Sequence, residues 1–432
     1  MGSIALTAIV RAAGRVLAIG LSAALGCAVA VGAAPGVAVA DQVRGGHWQL
    51  TALGVRDAWK VSIGKGVVVA VIDSGVDARH PDLVGQVLPG IDLVNPEAND
   101  AGRVDPVGHG TTVAALIAGS SKDSSGVEGI APGAKILPIR VLDKENKYDD
   151  PDVVAQAVRW GVDHGATVIN LSLGGAMRSE AIAAALRYAA AHDVVVVACT
   201  GNIATDPSIH QVWYPAREPG VVAVAGLGTA RTGGANPAGN GGETLWSGSL
   251  TGPETVLTAP AVNLTGARPG GGYWQVQGTS FAAPLVAGVA SLVRARYPQM
   301  SAANVINRLI GTAKDLGPKG RDDQFGYGEV DPVAALRDSV REVATNPLVE
   351  ASPQPGVSWS TQAEGSSPMW PGGAAPMPST SPTDPEFERL TDDGRPGTSA
   401  VAGLVVTLLI AGGGATGVLL HYRRQAKGPP AL

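Results

Sequence analysis

The sequence predicts an α/β fold of three layers, in which a mainly parallel central sheet is flanked by helices. Between about Asp41 and Arg341, short runs rich in Val and Ile alternate with longer helical patterns. Alternation of this kind is typical of parallel sheets whose crossover connections are helices. The runs are apolar at nearly every position, as expected of strands that are buried on both faces. The predicted strands are Val67–Ile72, Ile136–Val141, Thr167–Leu171, Val194–Ala198 and Val221–Ala225.

Five segments have helical patterns, and several of them carry Ser or Asp near the start as a capping residue. A stretch rich in Gly, Asn and Pro at Gly226–Gly242 predicts a surface loop. The junctions between strands and helices should collect at one edge of the sheet, where α/β proteins bind their ligands. The predicted helices are His109–Ala118, Pro151–Gly161, Ser179–Ala191, Ser280–Tyr297 and Ser301–Leu309.

Length and composition exclude some functions but do not select one. A chain of 432 residues can bury a substantial core. The net charge of -5, with 16% charged residues, gives no basic surface for nucleic acid, and no nucleic-acid partner is expected. No His, Cys, Asp or Glu residues are clustered with metal-ligand spacing, and we therefore assign no metal and no cofactor.

The two ends of the chain predict an exported protein with a membrane anchor. Residues 1–40 combine two arginines, an apolar run and a final Ala38-Val39-Ala40, which is the pattern of a secretory signal peptide. An uncleaved anchor is the alternative for this segment. Residues 398–420 lack charged side chains and are long enough to cross a hydrocarbon core of ~30 Å, with a buried core helix as the alternative. The basic tail at 421–432 predicts a single-pass plasma-membrane protein with a cytoplasmic C-terminus and an extracellular folded domain.

Between these ends we expect a folded domain over residues 41–345 and a linker over residues 346–397. The linker is rich in Pro, Ser and Gly and shows no apolar period, which is typical of a flexible or extended spacer. Of the two cysteines, Cys27 lies in the signal peptide, and only Cys199 remains after cleavage. The domain is therefore expected to fold without an intramolecular disulfide. Because Cys199 ends an apolar run, a buried thiol is favoured over a reactive one.

Four polar residues stand at predicted junctions and could carry chemistry. Asp73 follows the first strand and could orient an imidazole, while His109 opens a helix in a Gly-His-Gly-Thr setting that suits a general base. Asn202 follows a buried strand and could donate a hydrogen bond to an oxyanion. Ser280 stands at the start of an Ala-rich helix, whose positive end favours negative charge. Taken singly, each has a plainer interpretation: a turn Asp, a loop His, a turn Asn and an N-cap Ser.

Taken together, and in this order, the four residues and their local motifs resemble the subtilisin-like serine proteases, the subtilases. The resemblance extends from about Trp48 to Ala335 and implies a subtilisin-like fold. It also implies that Asp73 orients His109, that His109 takes the proton from Ser280, and that Asn202 forms the oxyanion hole with the backbone N–H of the serine. The matching motifs are Val69–Gly75, His109–Thr111, Ser172–Gly175 and Gly278–Ser280.

The same resemblance implies where a peptide would bind. The backbone of Ser172, Leu173, Gly174 and Gly175 would pair with the substrate as an added strand. The walls of the pocket for the P1 side chain, which precedes the cleaved bond, would be this segment and Cys199–Gly201. No acidic residue in these walls demands a basic P1 side chain. Structural calcium is common among subtilases, but no ligands can be assigned to it here.

The order of segments resembles the mycosins, which are membrane-anchored subtilases of actinobacterial type VII secretion systems. The predicted mature chain reaches the domain near Trp48 within a few residues of Asp41, which is too short a segment for a folded inhibitory propeptide. We therefore expect an extracytoplasmic serine endopeptidase that cuts protein or peptide substrates, with a type VII secretion membrane complex as the implied partner. The alternative is a structural component of a secretion complex whose proteolysis is slow or dispensable.

Overall fold

An eight-stranded sheet, parallel except for one strand, forms the centre of the fold. The computed structural model describes residues 47–120, 126–148, 150–203, 211–229, 243–350 and 387–388. The strands are β1 (Val68–Asp73), β2 (Ile91–Asp92), β3 (Lys135–Arg140), β4 (Val168–Leu171), β5 (Val195–Cys199), β6 (Val222–Thr229), β7 (Glu243–Leu245) and β8 (Leu257–Pro260). They lie in the order β2-β3-β1-β4-β5-β6-β7, and β8 pairs with β6 in parallel. Only β7 runs antiparallel to its neighbour among these strands.

Helices cover both faces of this sheet. Consecutive residues of the central strands are therefore all buried. From Val69 to Ile72, no residue of β1 is more than 1% exposed. The helices are α1 (Trp48–Ala52), α2 (Val55–Ala58), α3 (His109–Ala118), α4 (Pro151–Asp163), α5 (Glu180–Ala191), α6 (Thr279–Arg296), α7 (Ala302–Gly311), α8 (Pro332–Arg337) and α9 (Pro347–Glu350). Helices α4 and α5 pack on each other, and α3 packs on α6, with α6 also lying against β4, β5 and β6. The mainly parallel α/β architecture predicted above is confirmed.

The five predicted strands and five predicted helices are all present, and most of their ends agree within two residues. The capping residues explain this agreement for the helices. The side chain of Asp150 accepts a hydrogen bond from the first turn of α4, Ser179 does so for α5, and Ser301 does so for α7. Each cap satisfies an N–H group that has no acceptor within its helix.

The loop predicted at Gly226–Gly242 is wrong for its first four residues, which continue β6 to Thr229. Gly226 N donates to Ser249 Oγ at 2.9 Å, and Gly226 O accepts from Trp246 N at 2.9 Å. A Cβ on Gly226 would lie 2.6 Å from the Cβ of Ala261. The glycine therefore permits a close approach of neighbouring chain segments and does not mark a turn. Residues 230–242 lie outside the described part of the chain.

A second, antiparallel sheet of three strands was not predicted. It contains β9 (Leu264–Ala267), β10 (Tyr273–Val276) and β11 (Phe387–Glu388), with β10 in the middle. The turn between β9 and β10 is attached to the main domain, because Gly270 N donates to Asp77 Oδ2 at 2.8 Å. The hairpin thereby reaches from the loop after β1 to the start of α6.

The predicted linker begins too early, because residues 347–350 form α9. Leu348 is buried in the core, and Asn346 Nδ2 donates to Gly220 O at 3.0 Å. Pro347 suggested a linker, but proline is also favoured in the first turn of a helix. The predicted signal peptide at 1–40, the segment at 398–420 and the tail at 421–432 lie outside the described residues. Within the described ranges, no helix has the length and apolar character that a membrane span requires.

Candidate active site

The predicted site residues come from the ends of three neighbouring strands and from the first turns of two helices. β1, β4 and β5 are adjacent and parallel, and their carboxyl ends therefore meet at one edge. Asp73 is the last residue of β1, and Ser172–Gly175 follows β4 directly. Cys199 is the last residue of β5, and Asn202 lies three residues further along the chain. Helices α3 and α6 pack against each other and carry His109 and Ser280 in their first turns. The structure thus brings the sequence-predicted residues to one place.

Asp73 and His109 form a buried pair at this edge. His109 Nδ1 is 2.7 Å from Asp73 Oδ1, and neither residue is more than 1% exposed. Ser74 N donates to the same oxygen at 2.7 Å. Because a carboxylate only accepts hydrogen bonds, Nδ1 carries the proton and Nε2 is the basic nitrogen. The pair therefore holds the imidazole in the tautomer that a general base needs.

Glycines allow α3 to begin directly against the turn that follows β1. Gly75 has a φ of +102°, and a Cβ on it would lie 2.1 Å from Val104 O. A Cβ on Gly110 would lie 2.1 Å from Gly75 O and 3.1 Å from Asp73 Oδ1. No side chain larger than hydrogen fits at either position unless the backbone moves. The position of the imidazole relative to its carboxylate therefore depends on this close approach.

Asp105 is a part of the site that the sequence analysis missed. Its Oδ1 accepts hydrogen bonds from Ser74 Oγ at 2.9 Å, Val107 N at 3.0 Å and Gly108 N at 2.7 Å. Its Oδ2 accepts from Thr111 N at 2.8 Å and Thr111 Oγ1 at 2.6 Å. Burial raises the pKa of this carboxyl, while the hydrogen bonds favour its ionised form. An Asp four residues before a helix-opening His was the available signal.

Asp105 thereby fastens the start of α3 to the turn after β1. Ser74 forms the bridge, because its Oγ donates to Asp105 and accepts from Gly110 N at 3.0 Å. The residues on both sides of His109 are therefore held by one buried hydrogen-bond network.

Ser280 is the second residue of α6, and the alternative in which it caps this helix is wrong. The helix begins at Thr279, and its N-cap residue is Gly278, which has no side chain to cap it. The N–H groups of a first helical turn have no acceptor within the helix and favour negative charge nearby. The ring of Phe281 lies 5.3 Å from the ring of His109, and the start of α6 is therefore next to the imidazole.

Asn202 is attached to the first residue of α6. Its Oδ1 accepts from Thr279 N at 3.0 Å and from Thr279 Oγ1 at 2.9 Å. Gly201 N in turn donates to Thr279 Oγ1 at 3.1 Å. With the carbonyl end directed at Thr279, the amide Nδ2 is the end of the side chain that can donate to an oxyanion beside Ser280.

The segment predicted to bind substrate is tightly integrated into the site. Ser172 Oγ donates to Ser280 O at 2.6 Å and accepts from Asn170 Nδ2 at 2.9 Å, so this side chain fastens the first turn of α6. Gly175 exchanges two backbone hydrogen bonds of 2.8 Å with Tyr214. The backbone of residues 172–174 is therefore the part of the segment to which substrate pairing, still a prediction, can be assigned.

Cys199 is fully buried at the end of β5, as predicted. Its Sγ lies 3.9 Å from Leu173 O and 4.0 Å from Ser280 Oγ. Among the described residues, no three His, Cys, Asp or Glu side chains are grouped as metal ligands. Structural calcium therefore has no assigned ligands and stays a prediction.

Comparison with known proteins identifies the family. Residues 64–328 match the subtilase family, peptidase family S8. The chain is 39% identical over 308 residues to fervidolysin from Fervidobacterium pennivorans, covering 67% of this chain and 43% of fervidolysin. It is 35% identical over 266 residues to subtilisin DY from Bacillus licheniformis, covering 62% of this chain and 88% of that protein. The solved structure of the MycP3 protease from the type VII (ESX-3) secretion system is also similar, with a TM-score of 0.57, 31% identity, and coverage of 67% of this chain and 88% of MycP3.

The match covers the part of the chain that carries the candidate site. Residues 64–328 include Asp73, His109, Asn202 and Ser280, and they make up more than half of the chain. The chain spans less than half the length of fervidolysin and most of the length of subtilisin DY, so the similarity is to the peptidase domain. The chain belongs to the subtilase family of serine proteases.

Proposed function

We propose that the protein is a membrane-anchored, extracytoplasmic endopeptidase in which Asp73, His109 and Ser280 act as a catalytic triad. The observation that carries this proposal is the buried 2.7 Å contact between His109 Nδ1 and Asp73 Oδ1. It leaves Nε2 as a base close to the first turn of α6, from which the serine projects. A buried carboxylate in this position stabilises the imidazolium that forms when the base takes a proton.

Acylation follows from these positions. Ser280 Oγ attacks the carbonyl carbon of the peptide bond and transfers its proton to His109 Nε2. The negative charge that develops on the carbonyl oxygen is stabilised by Asn202 Nδ2 and the backbone N–H of Ser280. The imidazolium then gives its proton to the leaving amine as the C–N bond breaks, and an ester on Ser280 remains.

Deacylation repeats the same roles with water in place of the amine. His109 Nε2 takes a proton from a water molecule, whose oxygen attacks the ester carbonyl. The proton returns to Ser280 Oγ as the ester bond breaks, and the new carboxylic acid leaves. The protonation states of Asp73, His109 and Ser280 are then those at the start of the cycle.

The experiment is labelling of the purified full-length chain with a serine-directed fluorophosphonate. We expect Ser280→Ala and His109→Ala to abolish labelling. Ser291→Ala is the matched control, because Ser291 lies in the same helix with its Oγ bonded to Ala287 O at 2.8 Å. Labelling that survives Ser280→Ala would reject the proposed nucleophile.

Location and secretion are separate parts of the proposal. Residues 398–420 support an anchor, and the similarity to MycP3 supports association with a type VII secretion system. Wild-type chain should resist alkaline extraction from membranes, whereas a chain without 398–420 should be released. The role of proteolysis is tested in a strain that lacks this protein, by supplying the Ser280→Ala variant and measuring type VII secretion. Loss of secretion supports a protease that acts in secretion, and restored secretion supports the structural role instead.

A further inference from the structure

The two segments that leave β4 and β5 are the walls of the P1 crevice that the subtilase resemblance implies beside Ser280. Both segments are fastened to the start of α6, one through Ser172 Oγ to Ser280 O and the other through Gly201 N to Thr279 Oγ1. Their separation is small at the inner end, where Cys199 Sγ is 3.9 Å from the carbonyl oxygen of Leu173. A substrate side chain adjacent to the attacked carbonyl has to fit between these two walls.

A third segment, Trp213–Tyr214, joins the two walls. Trp213 N donates to Thr200 O at 2.9 Å on one wall. On the other wall, Tyr214 N donates to Gly175 O and Gly175 N donates to Tyr214 O, both at 2.8 Å. A segment that is hydrogen-bonded to both walls forms the floor of the crevice between them.

The side chain of Trp213 lies against both walls. A Cβ on Gly201, whose φ is +98°, would lie 2.4 to 2.7 Å from three atoms of the indole. A Cβ on Gly174 would lie 3.2 Å from the Cβ of Trp213. The side chain is 7% exposed, and glycine in the two walls is what leaves space for it. The indole therefore occupies volume that a deep pocket would offer to substrate.

Among the described residues near the floor, two carboxylates are paired with arginines. Glu218 follows the floor segment and is 6% exposed, and its Oε1 lies 2.8 Å from Arg178 Nε. The guanidinium of Arg217 lies 4.9 Å from the centre of the Tyr214 ring and its Nε is 3.1 Å from Glu254. These carboxylates are therefore neutralised by arginines of the chain and do not supply a counter-ion for a basic substrate side chain.

We propose that Trp213 is the residue that sets P1 specificity and that it restricts the substrates to peptides with a small, uncharged P1 residue such as Gly, Ala or Ser. This inference rests on the proposed serine endopeptidase. A larger P1 side chain has to displace an indole that is packed on two backbone segments. Binding of such a side chain is disfavoured, because extra atoms in a packed site cost free energy. A difference of one methylene in an apolar pocket changes kcat/KM by about 10–200-fold, and Phe exceeds Ala by a whole phenyl ring. We expect a preference of that size for Ala over Phe at P1.

The test compares two peptide substrates that are identical except for Ala or Phe at P1, with full-length enzyme whose active serine is titrated by a fluorophosphonate. In the wild type, kcat/KM should be at least about 10-fold higher for Ala. Trp213→Ala should raise kcat/KM for the Phe substrate at least about 10-fold relative to kcat/KM for the Ala substrate. Trp160→Ala, which removes a partly buried indole from α4, should leave the ratio unchanged.

Equal cleavage of both substrates by the wild type overturns the inference, as does an unchanged ratio in Trp213→Ala. If Trp213→Ala does not fold, as judged by thermal unfolding and the loss of titratable serine, Trp213→Leu decides the question by the same ratio. Normal titration together with an unselective wild type rejects only the inference. A wild type that the fluorophosphonate does not label rejects the proposed function and the inference together.

Discussion

Gly110→Ala should separate the position of the proposed base, His109, from the overall stability of the fold. The new Cβ would lie 2.1 Å from Gly75 O, whereas a close C···O contact is about 3.3 Å. The start of α3 must therefore move away from the turn after β1 by about 1.2 Å, the difference between these two distances. His109 is the adjacent residue, and the substitution also strains the hydrogen bond from Gly110 N to Ser74 Oγ.

Two effects of different size are expected from this displacement. Forcing a methyl group into a packed site costs about 1–3 kcal/mol of unfolding free energy, which a domain of this size tolerates. A misplacement of about 1 Å in a catalytic group costs about 100-fold in rate. We therefore expect kcat to fall by about 100-fold with a folded protein and little change in KM.

The assay is kcat and KM on a P1-Ala peptide, with chemical denaturation to measure unfolding free energy. Gly311→Ala is the control, because its Cβ would have only Val340 Cγ1 within reach, at 3.5 Å, near the end of α7. Alanine in that helix should be neutral or stabilise by about 0.5–1 kcal/mol, with kcat unchanged. The reasoning is refuted if Gly110→Ala is destabilised but turns over at the control's rate.

Two further substitutions test the surroundings of the site, and a third tests a buried histidine elsewhere in the domain. Asp105→Asn replaces one of the two acceptor oxygens by an N–H donor that faces the donor Thr111 N. It should lower the free energy of unfolding by about 2–4 kcal/mol, and it should also lower kcat. Ser172→Ala removes the hydrogen bond to Ser280 O and should cost about 1–2 kcal/mol in urea denaturation. Burial, with Arg56 nearby, lowers the pKa of His47 to about 4. His47 is therefore protonated at a higher pH in the unfolded chain than in the folded one. The free energy of unfolding falls as the pH is lowered from 6.5 towards 4. Between pH 7.5 and pH 5, this effect should lower the free energy of unfolding of the wild type by about 2 kcal/mol. The same contribution should be absent in His47→Gln.

The sequence predicted the parts of the fold whose signals are local. Continuous apolar runs marked the strands that are buried on both faces, and Asp150, Ser179 and Ser301 marked helix starts. The hairpin of β9 and β10 escaped prediction because its strands are four residues long and joined by a turn with three glycines. At Gly226 the usual association of glycine with loops failed, because a tertiary contact with Ala261 required the glycine.

The site was predicted as a set of residues, but the interactions that hold it were not. The local motifs indicated Asp73 and His109 as site residues. Which residues they contact depends on how the neighbouring strand ends lie together in the fold. The hydrogen bond from Ser172 Oγ to Ser280 O joins residues that are 108 positions apart. The five hydrogen bonds to Asp105 and the packing of Trp213 on Gly174 and Gly201 likewise depend on how distant segments meet. No local pattern encodes such contacts, and the role of Ser172 in fastening the first turn of α6 was therefore not predicted.

The packing of Trp213 connects substrate selection to the rate of reaction. The indole rests on Gly201, and the next residue, Asn202, holds the first turn of α6 through Thr279. A P1 side chain that is too large would press the indole against Gly201 and turn the Asn202 amide away from the developing oxyanion. The loss would then fall on an interaction that forms only in the transition state, and such a loss lowers kcat more than it raises KM. Selectivity at P1 should accordingly appear mainly in kcat, because Gly201, against which the indole packs, and Asn202, the proposed oxyanion donor, are consecutive residues.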